Sequence, residues 1–339
     1  MGLLRLLESI RFPAMDSIMS AITCLGDELA FMAIAMLVFW CLNKRYGYFI
    51  FLVNFTGTVI MLIVKLLVRA PRPWIRDPAF TIVESARASA QDYSFPSGHA
   101  MTAAGTFGVL AVTGGRKWIR WLCGILILLV AFSRLYLGVH FFKDVIVGLL
   151  VGGILVLLFL HMFTSDERFA VKGIRMLSIM IVFSGILLAF VKLWRFPEDI
   201  NADYLAAGEK NAYTILGAVI GLAVVYFYDS IYVNFDTRAP FFGQLLKYVL
   251  GMAALFGLKV GLKPLLAAAG FTGPIQDTIR YFAMVVFAGC IWPLTFPLFA
   301  KVGKVKEAPV CEAAPAEEAA EEAAAEIKEE TNDTQEDAQ

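Results

Sequence analysis

The sequence predicts an all-α protein, a polytopic bundle of membrane-spanning helices, and three observations predict it. Apolar and aromatic residues make up 59% of the 339 positions and mean hydropathy is +0.71, against about 45–50% apolar in soluble domains. A water-soluble globule of this length has too little interior to hide so much apolar surface, whereas a bilayer accepts it. Apolar stretches of near-span length recur along the chain, separated by charged connections. Charge is also segregated. Of 29 basic and 29 acidic residues, 12 acids and one base fall in Glu307–Gln339, which leaves 28 bases against 17 acids for the rest.

Taken in order, residues 1–25 begin with MGLLRLLESIRFP, two arginines around a short apolar face. This segment has no long apolar core and no small-residue cleavage site, so it reads as an interfacial amphipathic helix. Candidate spans follow at Leu29–Leu42, Tyr48–Val68, His99–Val112, Trp118–Phe132, Phe141–His161, Met176–Leu193, Ala212–Tyr228, Leu245–Leu262 and Tyr281–Phe299, with Met15–Cys24 extending the first. Several are shorter than the roughly 20 residues a free span needs. The expected organisation is 1–25 interfacial, 26–165 a core of spans, 166–302 additional spans, and 303–339 an Ala/Glu-rich tail whose acid runs cannot support an ordered core.

Lys44/Arg45, Arg116/Lys117/Arg120, Arg168/Lys172/Arg175 and Lys301/Lys304/Lys306 occupy alternate connections. The positive-inside rule makes those cytoplasmic, the tail with them. The intervening connections, Ala70–Gly98, Arg134–His140 and Arg195–Asn211, are then extracytoplasmic. The five cysteines are scattered singly with no ligand spacing, so neither a disulfide framework nor a metal centre is expected.

Three stretches carry chemistry: KLLVRAPRP at Lys65–Pro73, SFPSGHA at Ser94–Ala100, and SRLYLGVHFFKD at Ser133–Asp144. Lys65, Arg69 and Arg72 are spaced i, i+4, i+7, which predicts one cationic helix face ending at Pro71 and Pro73. Lys65 lies inside an apolar run, and intramembrane charge points to function. Ser97 is a good N-cap, Gly98 lets backbone approach a ligand, and the free N–H groups of a helix start attract anions. His99 in that first turn can deliver a proton. His140 and Asp144 stand one turn apart, so the carboxylate is expected to accept one imidazole N–H and leave the other nitrogen free to attack. Taken singly, each stretch is also compatible with snorkelling cations, an ordinary turn, or a solvated His–Asp pair. Two of only three histidines falling in these stretches weakens that reading.

In order, K-x6-R-P, P-S-G-H and S-R-x5-H-x3-D resemble the signature of the type 2 phosphatidic acid phosphatase superfamily, with no departure at the signature positions. The resemblance implies a six-span-type phosphatase core, to which this chain adds C-terminal spans as in a longer bacterial subset. It implies His140 as the nucleophile that forms a phosphohistidine, Asp144 as its orienting partner, and His99 as the acid that protonates the leaving oxygen and then helps activate water. Lys65, Arg72, Ser97, Gly98 and Arg134 would bind the phosphoryl oxygens. It implies neither metal nor other cofactor. Arg69 lies outside the signature.

The expected function is hydrolysis of a lipid phosphate or pyrophosphate at the extracytoplasmic face. Undecaprenyl pyrophosphate, phosphatidate and phosphatidylglycerophosphate types are all open as substrates, membrane lipids are the other partners, and no nucleic acid is expected. A transporter or flippase that binds phosphate headgroups without hydrolysis is the alternative, and vanadate-dependent halogen oxidation a third. The long Trp74–Asp92 connection has the length of a binding loop.

Overall fold

The computed structural model describes residues 1–164, 169–198 and 200–302, and every regular element among them is a helix. The expected tail and Cys311 lie outside these residues. Helix α1 (Gly2–Ser9) and α2 (Pro13–Thr23) precede α3 (Glu28–Leu37), which runs on through a wider π turn to Leu42. Then come α4 (Lys44–Val68), the single turn α5 (Pro73–Arg76), α6 (Gly98–Thr113), α7 (Lys117–Tyr136) and α8 (Phe142–Thr164). The last group is α9 (Phe169–Leu193), α10 (Ala202–Tyr228), α11 (Phe241–Ala268), and α12 (Gly273–Val286), which continues through a π turn to α13 (Phe296–Phe299). All nine apolar stretches read from the sequence lie in helices. Among the described residues seven helices are long and apolar enough to cross a membrane, and α2 with α3, bent by 56° at Asp27, adds an eighth. At 16 residues α6 is short for a free span. This is a multi-pass membrane protein.

Helix α4 is the axis of the bundle. It is buried on nearly every side, from Tyr48 through Val53 to Lys65 and Leu66. Among its polar interior residues, Asn54 donates to the Ile50 carbonyl at 2.9 Å and accepts from Thr106 on α6. Helix α8 lies close to α6 because Gly148 and Gly152, one turn apart, have no side chain there. A Cβ on Gly148 would stand 2.4 Å from the Ser97 carbonyl, and one on Gly152 2.6 Å from that of Met101. Small residues of this spacing are how membrane helices approach closely when apolar burial gives no net drive. The same device joins α10 to α12, where Gly217 faces the Thr278 carbonyl and Gly221 that of Phe282. Helix α11 turns Phe241, Leu246, Val249, Phe256 and Val260 outward, the face expected for lipid.

Successive long helices alternate in direction. Lys44, Arg45, Arg116, Lys117, Lys172, Arg175 and Lys301 therefore gather at one end, while Lys65, Ser97, Arg134 and His140 gather at the other. Helix α1 docks at this second end. Leu4 and Leu7 are buried against Phe80, Ile82 and the end of α7, Arg5 pairs with Asp77 at 2.7 Å, and Arg11 donates to the carbonyls of Thr81 and Tyr136. The α1–α2 segment thus holds down the connection that carries Asp92.

The expected helical stripe of Lys65, Arg69 and Arg72 is corrected. Helix α4 stops at Val68, and Arg69 takes a left-handed conformation with φ of 50°. The cause is Pro71, whose ring disfavours the helical region for Ala70. Arg72 reaches the site from extended backbone, with φ −66° and ψ 158°, and not from the face of Lys65.

Candidate active site

Helices α3, α4, α6, α10 and α12, with the connections before α6 and α8, line an open cavity of about 370 Å³. Its polar wall brings together Lys65, Arg72, Gly98, His99 and His140, five of the eight residues expected from the sequence. Ser97, Arg134 and Asp144 stand behind that wall, each at 0% exposure.

Gly98 opens α6, and a Cβ there would meet nothing within 4 Å, so this helix start faces open space. Ser97 is the N-cap, its hydroxyl accepting from the Ala100 N–H at 3.4 Å. Its own N–H donates to the Asp144 carbonyl at 2.9 Å, which ties the helix start to α8. Free N–H groups at a helix terminus and two buried cations give this wall a strong preference for an anion.

Arg72 holds the site by several bonds. Nη1 donates to the Val139 carbonyl at 2.8 Å and lies 3.0 Å from His140 Nε2, and Nε donates to the Asp92 carbonyl at 2.8 Å. A guanidinium only donates, and Nη1 lies nearer Nε2 than Nδ1, at 3.0 against 3.4 Å, which favours Nε2 as the acceptor. Nδ1 lies 3.6 Å from Asp144 Oδ2, beyond hydrogen-bond length. The expected His140–Asp144 hydrogen bond is therefore corrected to a close but unbonded pair. Asp144 Oδ2 instead accepts from Ser94 Oγ at 2.5 Å and from the Phe141 N–H at 2.9 Å, while Oδ1 is buried without a hydrogen-bond partner. Burial, and then the charges of Arg72, Arg134 and Lys65, hold the His140 imidazole well below the ordinary histidine range. It is neutral at physiological pH.

Arg134 departs from expectation. It does not line the cavity; its Nη1 donates to Thr23 Oγ1 at 2.7 Å and to Ser89 Oγ at 3.4 Å, leaving Nε unpartnered. Here it acts on the site through its charge.

Two aspartates join the site that the motifs did not indicate. Asp27, at the bend between α2 and α3, places Oδ1 2.5 Å from His99 Nε2, off the line of a good hydrogen bond. Asp92, from the long connection, bridges the two cations: Oδ2 lies 2.5 Å from Lys65 Nζ and Oδ1 against Arg72 Nη2. Burial alone would raise the Asp92 carboxyl, but the charges of Lys65 and Arg72 outweigh it and hold it below the usual carboxylate range. Crowded on its cavity side, Asp92 still exposes 40% of its side chain. Asp27 precedes α3 without capping it by its side chain, and nothing local marks Asp92, because both act through contacts distant in sequence.

An all-helical membrane body with a buried, cation-lined anion pocket and two histidines fits a membrane phosphatase. Residues 44–168 match the PAP2 superfamily, and residues 213–304 match the transmembrane extension of PAP2 superfamily phosphatases. Phosphatidylglycerophosphatase B of Bacillus subtilis is 30% identical over 175 residues, 47% of this chain and 79% of that protein. Undecaprenyl-diphosphatase BcrC of the same organism is 32% identical over 151 residues, 43% of this chain and 73% of that protein. The crystal structure of a transmembrane PAP2-type phosphatidylglycerolphosphate phosphatase from Bacillus subtilis aligns at 27% identity and a TM-score of 0.42, covering 50% of this chain and 86% of that one. The chain belongs to the PAP2 superfamily.

Proposed function

We propose that this phosphatase hydrolyses a lipid phosphate or diphosphate, of the phosphatidylglycerophosphate, phosphatidate or undecaprenyl diphosphate type, through a phosphohistidine on His140 at the extracytoplasmic face. The observation that carries the reading is the single cavity wall shared by Lys65, Arg72, the α6 helix start, His99 and His140.

The lone pair of a His140 nitrogen attacks phosphorus, and the bond from phosphorus to the lipid oxygen breaks. Protonated His99 gives its proton to that leaving oxygen. Water then attacks the phosphohistidine, His99 takes the water proton, and the P–N bond breaks to release phosphate and neutral His140. Lys65, Arg72 and the Gly98 N–H hold the phosphoryl oxygens and stabilise their charge in both transition states. Asp144 needs a small movement to accept the Nδ1 proton and steady the charge His140 gains. Asp27 Oδ1, beside His99 Nε2, favours the charged form that burial and the Arg134 charge oppose. Neutral His140 must displace Arg72 Nη1 from Nε2, a shift that phosphate invites by drawing the guanidinium onto its own oxygens.

The facing rests on charge. Lys44, Arg45, Arg116, Lys117, Lys172 and Arg175 gather at the end away from the site, and the positive-inside rule makes that end cytoplasmic. The test is phosphate release from lipid mono- and diphosphates by purified protein with chelator present. His140→Ala is expected to lose at least a thousandfold in kcat. Retention of near wild-type turnover refutes the nucleophile, and headgroup binding without phosphate release in the wild type supports a carrier instead. In oriented vesicles, phosphate appearing on the cytoplasmic side refutes the facing.

A further inference from the structure

A second, narrow cavity, of about 110 Å³, lies between the catalytic helices and the extension. It adjoins the catalytic cavity: Glu28, Met32, Phe55, Ala218, Tyr281 and Val285 line both. Below that shared stretch the walls are apolar. Helices α3 and α4 contribute one side, and α10, α11 and α12 the other. Depth follows from α4. Phe55 and Phe51 stand 10 and 14 residues before Lys65, which places them about 15 and 21 Å further along the helix at ~1.5 Å per residue. The groove therefore leaves the cation pair and runs into the membrane beyond half of a hydrocarbon core of about 30 Å.

We infer that this groove holds one hydrocarbon chain of the lipid phosphate substrate and that the transmembrane extension exists in part to build its outer wall. This rests on the phosphatase reading above and adds the seat of the substrate's tail. Three features fit a chain. The groove opens at the phosphate grip, so headgroup and tail of one molecule occupy both cavities at once. Met32, Met36, Met252 and Met284 line it, and unbranched thioether side chains adapt to a flexible chain. The walls are also pinned to each other. Trp40 donates to the Ala288 carbonyl at 2.9 Å and Tyr248 to the Ala33 carbonyl at 3.0 Å, while the Gly217 and Gly221 contacts fix α10 on α12.

Prenyl and acyl chains share this chemistry, and the experiment separates them. Phosphate release is measured for a long-chain polyprenyl diphosphate against geranyl diphosphate, and for dioleoyl phosphatidate against dihexanoyl phosphatidate, in the same detergent. Met252→Trp and Met284→Trp each fill the deep groove far from His140. The expected result is at least a tenfold fall in the long-to-short ratio of kcat/KM, in the prenyl arm if the native chain is prenyl and in the acyl arm if it is acyl. An unchanged ratio in both arms overturns the inference and leaves the phosphatase reading intact. Wild-type protein that releases no phosphate from any of the four overturns the phosphatase reading itself. Should both variants fail to fold, wild-type protein is irradiated with a lipid phosphate carrying a diazirine at its chain end. Labelling on α10–α12 residues of the groove supports the assignment, and labelling confined to α7, α8 or α9 overturns it.

Discussion

Asp92→Asn gives a sharp test of the pocket, because this carboxylate occupies the place proposed for phosphate. Its two oxygens lie on Lys65 Nζ, at 2.5 Å, and on Arg72 Nη2. An incoming phosphoryl group needs the same donors and carries the same sign of charge, so it must displace Asp92 first. A hydrogen bond to a charged group contributes about 1.5–3 kcal/mol net. With 40% of the Asp92 side chain exposed, screening and side-chain ordering reduce the two contacts together to about 1.5 kcal/mol. At ~1.4 kcal/mol per decade, removing this competitor tightens anion binding about tenfold. The measurement is the competitive inhibition constant of orthophosphate, and separately of orthovanadate, against phosphate release from a lipid phosphate at fixed salt. Since Lys65 and Arg72 hold Asp92 ionised below the usual carboxylate range, the effect is expected to be the same at pH 6 and pH 8. If Asp92 serves instead to position the two cations, Asn leaves them uncompensated and the inhibition constant rises. A rise or no change refutes the competition argument.

Two further outcomes follow from the same geometry. His140 is held neutral by burial and by the charges of Arg72, Arg134 and Lys65, so its folded pKa is depressed and the nucleophile stays unprotonated below the ordinary value of about 6.5. The acid limb of the kcat/KM profile is expected below that pH, and a limb at or above 6.5 counts against His140 as the attacking group. Gly148→Ala puts a Cβ 2.4 Å from the Ser97 carbonyl, so α6 must shift at the turn that carries His99. The expected cost is about 1–3 kcal/mol of stability, read as a lower unfolding midpoint together with reduced kcat. Gly153→Ala, where a Cβ meets nothing within 4 Å, is the control and should leave both close to wild type.

What the sequence disclosed and what it hid divide along a physical line. The spans were legible because apolar length is a local property, and all nine stretches became helix. The P-S-G-H turn was legible because an N-cap serine and a following glycine encode their own geometry, and Ser97 caps α6 as expected. Spacing failed where a neighbour changed the backbone: Lys65, Arg69 and Arg72 look like one face only until Pro71 ends α4 at Val68. It failed again at Asp144, whose i+4 position brings Oδ2 to 3.6 Å from His140 Nδ1 while Ser94 and the Phe141 N–H take the bonds.

Asp27 and Asp92 show the deeper limit. Each reaches its partner only through tertiary packing, Asp27 across the α2–α3 bend to His99 and Asp92 across a connection held down by α1. These two carboxylates alter what the site is. Lys65, Arg72 and Arg134 alone would make a buried cluster of like charge, which costs several kcal/mol per ion to remove from water unless it is compensated. Asp92 supplies that compensation from a side chain still partly in solvent, and therefore able to leave. Such a pocket stays folded when empty and keeps its cations free for a stronger anion, a requirement that no signature motif states but that the chemistry of a phosphate site imposes.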